Sequence, residues 1–506
     1  MRPPSNPAFG LLMPILALNC VLAAFPLRAA TSRVSMPAQD ASQSTQEDQK
    51  SKKESPEKKT EEPPSRVFSR AIVPPKEWNP SKEHSVASPP EHLTGAATPA
   101  TDNPSIPMGP HAAFVMEMYG PREEEISRRA WRYLLATREP ATGFYDSVIH
   151  YPATTMWDMG SSMAALVSAE RLKLLSTTSF QLHMRQLLKS LASMPLYHDE
   201  LPNREYSTRA LVMLDHHSAP SGDGSGWSAV DLGRLLIWLR IVATWYPDMK
   251  ATCEAIVARW SFDRLRTNEE ANGVSLEEGK EYLRQEGRLG YEQYAAKGFS
   301  FWGIYLPKAW QYDHTKPVSV MGTVLRQDDR GHSFLTSEPF FLVQMEIGSI
   351  DPFFESLSSA ILEVQRRRWE KTGILTAISE DSTSLEPWFV YNTVLFDDTP
   401  WDCVSPGGKP YPALKSLSTK AAVAYAALGD GPFAEALESA TDSLADPRYG
   451  YYAGKYEKGG INRSLNINTN AVVLEAMLFR KLGRRAFLQV VLEPDALSSE
   501  KAGLHK

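Results

Sequence analysis

The residues best equipped for chemistry in this chain are carboxylates set close to aromatic rings. Asp158 follows Trp157 in Thr154-Thr155-Met156-Trp157-Asp158, and Glu292 stands among tyrosines in Tyr291-Glu292-Gln293-Tyr294. Glu338 occurs in Ser337-Glu338-Pro339-Phe340, and Asp381 in Ser379-Glu380-Asp381. Rings, carboxylates and amides gathered in one cleft suit a sugar. Rings stack on its faces, hydroxyls bond to polar groups, and two carboxyl groups supply the acid and base that break a glycosidic bond. Among aromatic side chains the charged form of Glu292 is disfavoured, which keeps a proton ready for a leaving oxygen. Glu292 is therefore the candidate general acid, with Asp158, Asp381 and Glu338 as candidates for the second carboxylate. Candidate sugar-binding residues come from the same loops: Trp157, Arg204, Tyr206, Trp227, Tyr291, Tyr294, Trp302 and Tyr456.

Each acid also has a structural use. Asp158 follows Thr155, and Asp231 follows Ser228, at the spacing of a capping box. For Asp231, followed by a smooth apolar helix, the cap suffices. Glu338 before Pro339 favours a helix N-terminus. Glu380-Asp381 reads equally as a solvated loop, because adjacent like charges are mostly exposed. Glu292 has the alternative of a buried glutamate bonded to backbone. Glu346 and Glu475, inside apolar helices, are expected to pair with buried partners.

Other chemistries are thin. The chain has no Gly-x-Ser-x-Gly elbow, His-Glu-x-x-His pair, phosphate-binding glycine loop or dinucleotide fingerprint. Asp215-His216-His217 with Asp223 lacks ligand spacing on a defined element, so neither a metal nor another cofactor is expected. Only 3 cysteines occur, which excludes a disulfide framework and a Cys-rich zinc site. Cys253 and Cys403 are expected to be buried and inert. A net charge of −6 leaves no basic footprint for nucleic acid.

These loops need a framework, and the apolar period from Pro121 onward is helical. Helices are expected near 158–175, 178–193, 228–246, 249–262, 338–348, 351–371, 416–428, 431–443, 467–482 and 484–492. Shorter ones are expected near 277–297 and 385–395. One set is rich in small residues, as in Ser418-Thr419-Lys420-Ala421-Ala422; the other carries charge and one apolar stripe, as in Ile361 to Trp369. Small residues suit a crowded inner ring and one-sided amphipathicity an outer ring. Their alternation predicts an all-α fold, an (α/α)6 toroid over 111–506, with the candidate loops gathered at one end. An irregular helical bundle or a solenoid is the competing architecture.

Ahead of it, residues 1–30 read as an export signal, with Arg2 before the apolar run from Gly10 to Leu18. Residues 31–110 hold 13 Pro, 12 Ser, 21 charged residues and 2 aromatics. That composition cannot bury enough apolar surface to offset chain entropy, so a disordered linker is expected. No later run is long enough to span a bilayer, so the mature chain is expected to lack a membrane span.

Six of the motifs, in order, resemble a bacterial exported family catalogued as domain of unknown function 3131. They are Thr155-Met156-Trp157-Asp158-Met159-Gly160-Ser161; Leu201-Pro202-Asn203-Arg204 with Tyr206; Gly226-Trp227-Ser228-Ala229 with Asp231-Leu232-Gly233-Arg234; Glu286-Gly287-Arg288 with Gly290-Tyr291-Glu292-Gln293-Tyr294; Ser337-Glu338-Pro339-Phe340; and Asn468-Thr469-Asn470-Ala471. The likeness covers roughly 120–485. A more distant one runs to glucoamylase-like (α/α)6 domains that include inverting endo-β-1,2-glucanases. There, a glutamate in a Tyr-rich segment opening an inner helix acts as general acid, which implies that role for Glu292.

The expectation is thus a periplasmic or secreted glycoside hydrolase-like protein that acts on a bacterial polysaccharide or glucan by an inverting mechanism. Its partner is a polysaccharide or oligosaccharide. Two readings compete. One is a non-catalytic glycan-binding component of polysaccharide assembly or export, and the other is a polysaccharide lyase.

Overall fold

The computed structural model describes residues 119–490. The export signal expected at 1–30 and the linker expected at 31–110 lie outside the described residues. Eleven α-helices occur within them: α1 (Pro121–Thr137), α2 (Met156–Arg171), α3 (Thr177–Ser193), α4 (Ala229–Trp245), α5 (Pro247–Ala258), α6 (Tyr291–Ser300), α7 (Glu338–Leu342), α8 (Pro352–Thr372), α9 (Thr419–Leu428), α10 (Pro432–Thr441) and α11 (Ile467–Lys481). A π-turn over Val343–Ile347 continues α7. No helix among the described residues is long and apolar enough to cross a membrane.

Burial sorts the helices into two kinds. In α2, every residue from Met156 to Glu170 is buried, and α9 is buried from Thr419 to Ala427. By contrast, α3 buries Phe180, Met184, Leu187, Leu188 and Leu191, one stripe at helical spacing. The enclosed helices touch in sequence: α11 packs on α2, α2 on α4 and α4 on α6, while α9 packs on both α11 and α7. The stripe-bearing helices lie against them, α1 on α11, α3 on α2 and α5, α5 on α4, and α10 on α9. Small residues set these distances. A Cβ at Gly233 of α4 would lie 2.4 Å from Ala295 Cα of α6, and one at Gly298 would lie 2.2 Å from the Gly233 carbonyl oxygen. No larger residue fits where these two backbones meet.

The connections correct the all-α expectation, because they carry small antiparallel sheets. The helix expected near 277–297 is in fact a strand, a loop and α6. Asn272–Glu277 pairs with Lys280–Gln285 in a hairpin whose turn residues, Glu278 and Gly279, have φ of 51° and 73°. Two successive left-handed residues give the turn whose twist matches that of paired strands. A second hairpin joins Thr315–Val320 to Thr323–Asp328 through Met321 and Gly322. The helix expected near 385–395 is also strand: Glu380–Ser382 pairs with Phe389–Asn392, which pairs with Cys403–Val404. Only a 3-10 turn, Phe487–Gln489, forms where 484–492 was expected to be helical.

Candidate active site

The first turns of the enclosed helices meet at one place, and local capping explains how each begins. Thr155 opens α2: its Oγ1 accepts from Asp158 N at 3.2 Å and donates to Asp158 Oδ2 at 3.1 Å. Ser228 caps α4 by accepting from Asp231 N at 3.1 Å, and Asn466 caps α11 by accepting from Thr469 N at 2.7 Å. Gly290, with φ of 102°, opens α6 where a Cβ would strike Pro339 and the Phe340 ring at 2.9 Å. That close approach brings the starts of α6 and α7 together.

Asp158, Glu338, Lys420 and Asn468, from the first turns of α2, α7, α9 and α11, line a cavity of about 50 Å³. Asp381 and Glu380, on the strand Glu380–Ser382, complete its acidic wall, and Trp157 supplies a ring. Val230 of α4 and Tyr291 of α6 line a second cavity of the same size. Tyr291 connects the two, since its hydroxyl donates to Glu338 Oε2 at 3.3 Å.

Four carboxyl groups line the first cavity, and three of them act on the Lys420 ammonium. Lys420 Nζ donates to Glu338 Oε2 at 2.6 Å and lies 3.8 Å from Asp381 Oδ1. Asn468 Nδ2 donates to Glu338 Oε1 at 2.6 Å. Burial works against the charge on Lys420, but Glu338, Asp381 and Glu380 outweigh it and raise its pKa. Asp381 differs from Glu338. It is 2% exposed and neither carboxylate oxygen has a hydrogen-bond partner. Burial holds its carboxyl well above the usual range against the pull of Lys420 and the Ser418 hydroxyl. Burial also raises Asp158, opposed by Ser147, Thr155 and the charge of Arg234.

Beneath this cavity lies a fully buried ionic cluster. The Arg234 guanidinium sits 4.7 Å from the Trp157 ring centre and donates from Nη2 to Glu475 Oε1 at 2.8 Å. Its Nη1 lies 3.6 Å from Glu346 Oε1. Glu346 also accepts from Trp238 Nε1 at 2.9 Å and from the Tyr294 hydroxyl at 2.5 Å. Burial keeps the Glu475 carboxyl well above its usual pKa. These are the buried pairs expected of Glu346 and Glu475, and the cluster fixes Trp157 from behind.

The remaining candidate residues fall elsewhere. Glu292 is fully buried and lines neither cavity; it accepts from Arg330 Nη2 at 2.6 Å and from Gln285 Nε2 at 3.1 Å. An ionic partner thus replaces the isolated aromatic surroundings inferred from the sequence. Ligand atoms of Glu292, His314 and Asp328 lie within 4.8 Å of one another, and Arg330, 2.5 Å from Asp328 Oδ2, already provides a cation there. Tyr206 is buried, with its hydroxyl bonded to Pro195 O, and Trp227 is buried, with Nε1 bonded to Asn272 O. Trp302 binds Leu236 O beyond the far end of α6, and Tyr456 packs with Val390 and Cys403. Arg204 holds Glu286, a residue of the second cavity, at 3.1 Å. Burial pushes the thiols of Cys253 and Cys403 up to about 12.

Sequence reasoning missed Lys420, Asn468 and Glu380. A lysine flanked by Thr419, Ala421 and Ala422 was a legible signal, since a charge in an otherwise small-residue helix needs a buried partner.

The framework just described is shared with solved structures. A glucoamylase-like protein from Bacteroides caccae matches with a TM-score of 0.53 at 12% identity, covering 72% of this chain and 93% of that one. Another, from Bacteroides fragilis, matches with a TM-score of 0.51 at 12% identity, covering 75% and 95%. An endo-β-1,2-glucanase from Chitinophaga pinensis, solved with sophorotriose and glucose, matches with a TM-score of 0.53 at 10% identity, covering 73% and 93%. Identities this low establish likeness of fold alone. No curated protein matches the sequence. Residues 125–483 match the family of proteins of unknown function DUF3131, and the chain belongs to that family.

Proposed function

We propose that this protein is a periplasmic or secreted glycoside hydrolase-like enzyme acting on a bacterial polysaccharide or glucan. Its six enclosed helices, α2, α4, α6, α7, α9 and α11, form the inner ring of an (α/α)6 toroid, and the first cavity lies at the ring's mouth. One observation carries the reading: Asp381 and Asp158, two buried carboxyls with raised pKa values, line the same cavity beside an anchored Glu338–Lys420 pair. Asp381, whose carboxylate oxygens have no hydrogen-bond partner to stabilise a charge, keeps its proton and gives it to the leaving oxygen. Asp158, whose charged form the Thr155 hydroxyl stabilises, gives up its proton and activates the water, the division of labour that inversion requires. Glu292, paired with Arg330, supports the α6 end of the site.

Incubation with β-1,2-, β-1,3- and β-1,4-glucans and bacterial exopolysaccharides, followed by reducing-end measurement, tests this. Asp381→Asn should lower turnover by at least about 100-fold, the usual worth of a positioned acid. Turnover undiminished in both Asp381→Asn and Asp158→Asn overturns the assignment. Binding without turnover of any substrate points instead to a glycan-binding component.

A further inference from the structure

The acid–base reading makes no use of the second cavity, which has the makings of a separate binding site. Phe334 and Tyr391 line it and stack at 4.2 Å with planes 17° apart. Phe396 stacks on Phe334 at 5.1 Å. Phe334 and Tyr391 cluster with Val404 apart from the main core, so these rings are not needed to fill that core. Two contacts join this cavity to the first. Tyr291 lines the second cavity while bonding to Glu338 of the first. Phe389 lines the first while its ring meets Tyr391 edge-on at 5.4 Å.

The charges of the second cavity are taken up by the fold. Glu286 accepts from Arg204 Nη2 at 3.1 Å and from Ala229 N at 2.5 Å. Arg288 donates to Gly331 O at 3.0 Å, Gln285 Oε1 at 2.5 Å and Gly287 O at 2.7 Å. His332 Nδ1, by contrast, is buried without a hydrogen-bond partner. The cavity therefore offers aromatic surface and one unsatisfied imidazole nitrogen, while the Arg288 charge already acts on the buried Asp328 carboxylate. That suits a sugar ring with a hydroxyl at its edge, whereas a carboxylated sugar would lack a counter-ion.

We propose that the second cavity binds the neighbouring residue of the same glycan, so that the ligand is an uncharged chain of at least two sugars laid across Tyr291. This rests on the first cavity holding a sugar. Calorimetry on the full chain with glucose, with β-1,2-, β-1,3- and β-1,4-linked gluco-oligosaccharides of two to five units, and with oligogalacturonate tests it. One neutral series should bind about three- to tenfold more tightly than glucose once a second unit is present, the worth of one ring contact. Oligogalacturonate should not bind. His332→Ala, at a partly exposed position, should erase the gain with length at an unchanged melting temperature; Tyr391→Leu provides a second probe of the ring stack. Affinity indifferent to length and to both substitutions, binding of oligogalacturonate as tight as the neutral series, or no binding in any series overturns the proposal. Length-dependent binding without hydrolysis sinks the acid–base reading and leaves the second subsite standing.

Discussion

Lys420→Met isolates the electrostatics of the first cavity, because methionine keeps the length of the side chain and removes its charge. Lys420 is 3% exposed and Glu338 is 1% exposed, and the two are 2.6 Å apart. Without the ammonium, Glu338 must stay buried as an uncompensated anion or take up a proton, and Asp381 loses the nearby cation that lowers its pKa. Losing one partner of a buried pair costs about 3–5 kcal/mol. Spread over an unfolding entropy of about 2 cal/mol/K per residue, that lowers the melting temperature by roughly 5 °C. The loss also has a sign with pH. Carboxyls forced to protonate on folding bind more protons in the native state than in the unfolded one, so stability falls as pH rises. Denaturant titrations of wild type and variant at pH 5 and pH 8 should therefore show the larger deficit at pH 8. Adding Glu338→Gln to the variant should recover part of the loss, because the stranded anion is gone. A deficit below about 1 kcal/mol, or one unchanged between pH 5 and pH 8, refutes the view that Lys420 neutralises buried carboxylates, since a breached buried pair cannot be so cheap.

Asp146 makes a separate test of burial. It is buried, and that burial raises its pKa to about 7, with the Thr208 hydroxyl donating to Oδ1 at 2.6 Å. Its contribution to stability is full at low pH and is lost as pH climbs from about 4 to about 7, so Asp146→Asn, which keeps the acceptor, should gain on the order of 2–4 kcal/mol over wild type at pH 8 relative to pH 4. Thermal melts across that range check it, and parallel curves would contradict it. Gly233→Ala should destabilise the fold by about 1–3 kcal/mol, because its Cβ would overlap Ala295 of the neighbouring helix; an unchanged denaturation midpoint would mean that α4 and α6 can move apart. Glu292→Gln should cost about 1–3 kcal/mol by weakening the hold on Arg330, while reducing-end release persists. Loss of turnover without loss of stability would return Glu292 to the catalytic pair.

Much of the framework was readable because the enclosed helices announce themselves. Thr155 and Ser228, each with an aspartate three residues on, mark helix starts by local hydrogen bonds that any context would preserve. The first hairpin is masked for a local reason: Glu277 to Leu283 has the charge and length of a short helix, and only Glu278-Gly279 signals the turn. The site was harder. Asp381 and Glu380 look like a solvated pair until Lys420 and Glu338, 39 and 43 residues from Asp381 in sequence, are folded against them. Burial of that kind depends on tertiary packing, which adjacent residues do not encode. The ion pair of Glu292 is hidden for the same reason, since Arg330 is brought to it only by the hairpin ending at Asp328.

The convergence of helix starts has an electrostatic consequence. Peptide dipoles add up along each helix to about half a positive charge at its N-terminus. The two cavities therefore sit in the summed positive field of α2, α4, α6, α7, α9 and α11, which favours negative charge on the carboxyl groups gathered there. At the other pole the last turn of α2 carries Arg171, that of α11 carries Arg480 and Lys481, and Lys481 donates to the Arg171 carbonyl oxygen at 3.0 Å. The framework is thus polarised end to end, with acids favoured at one pole and bases at the other.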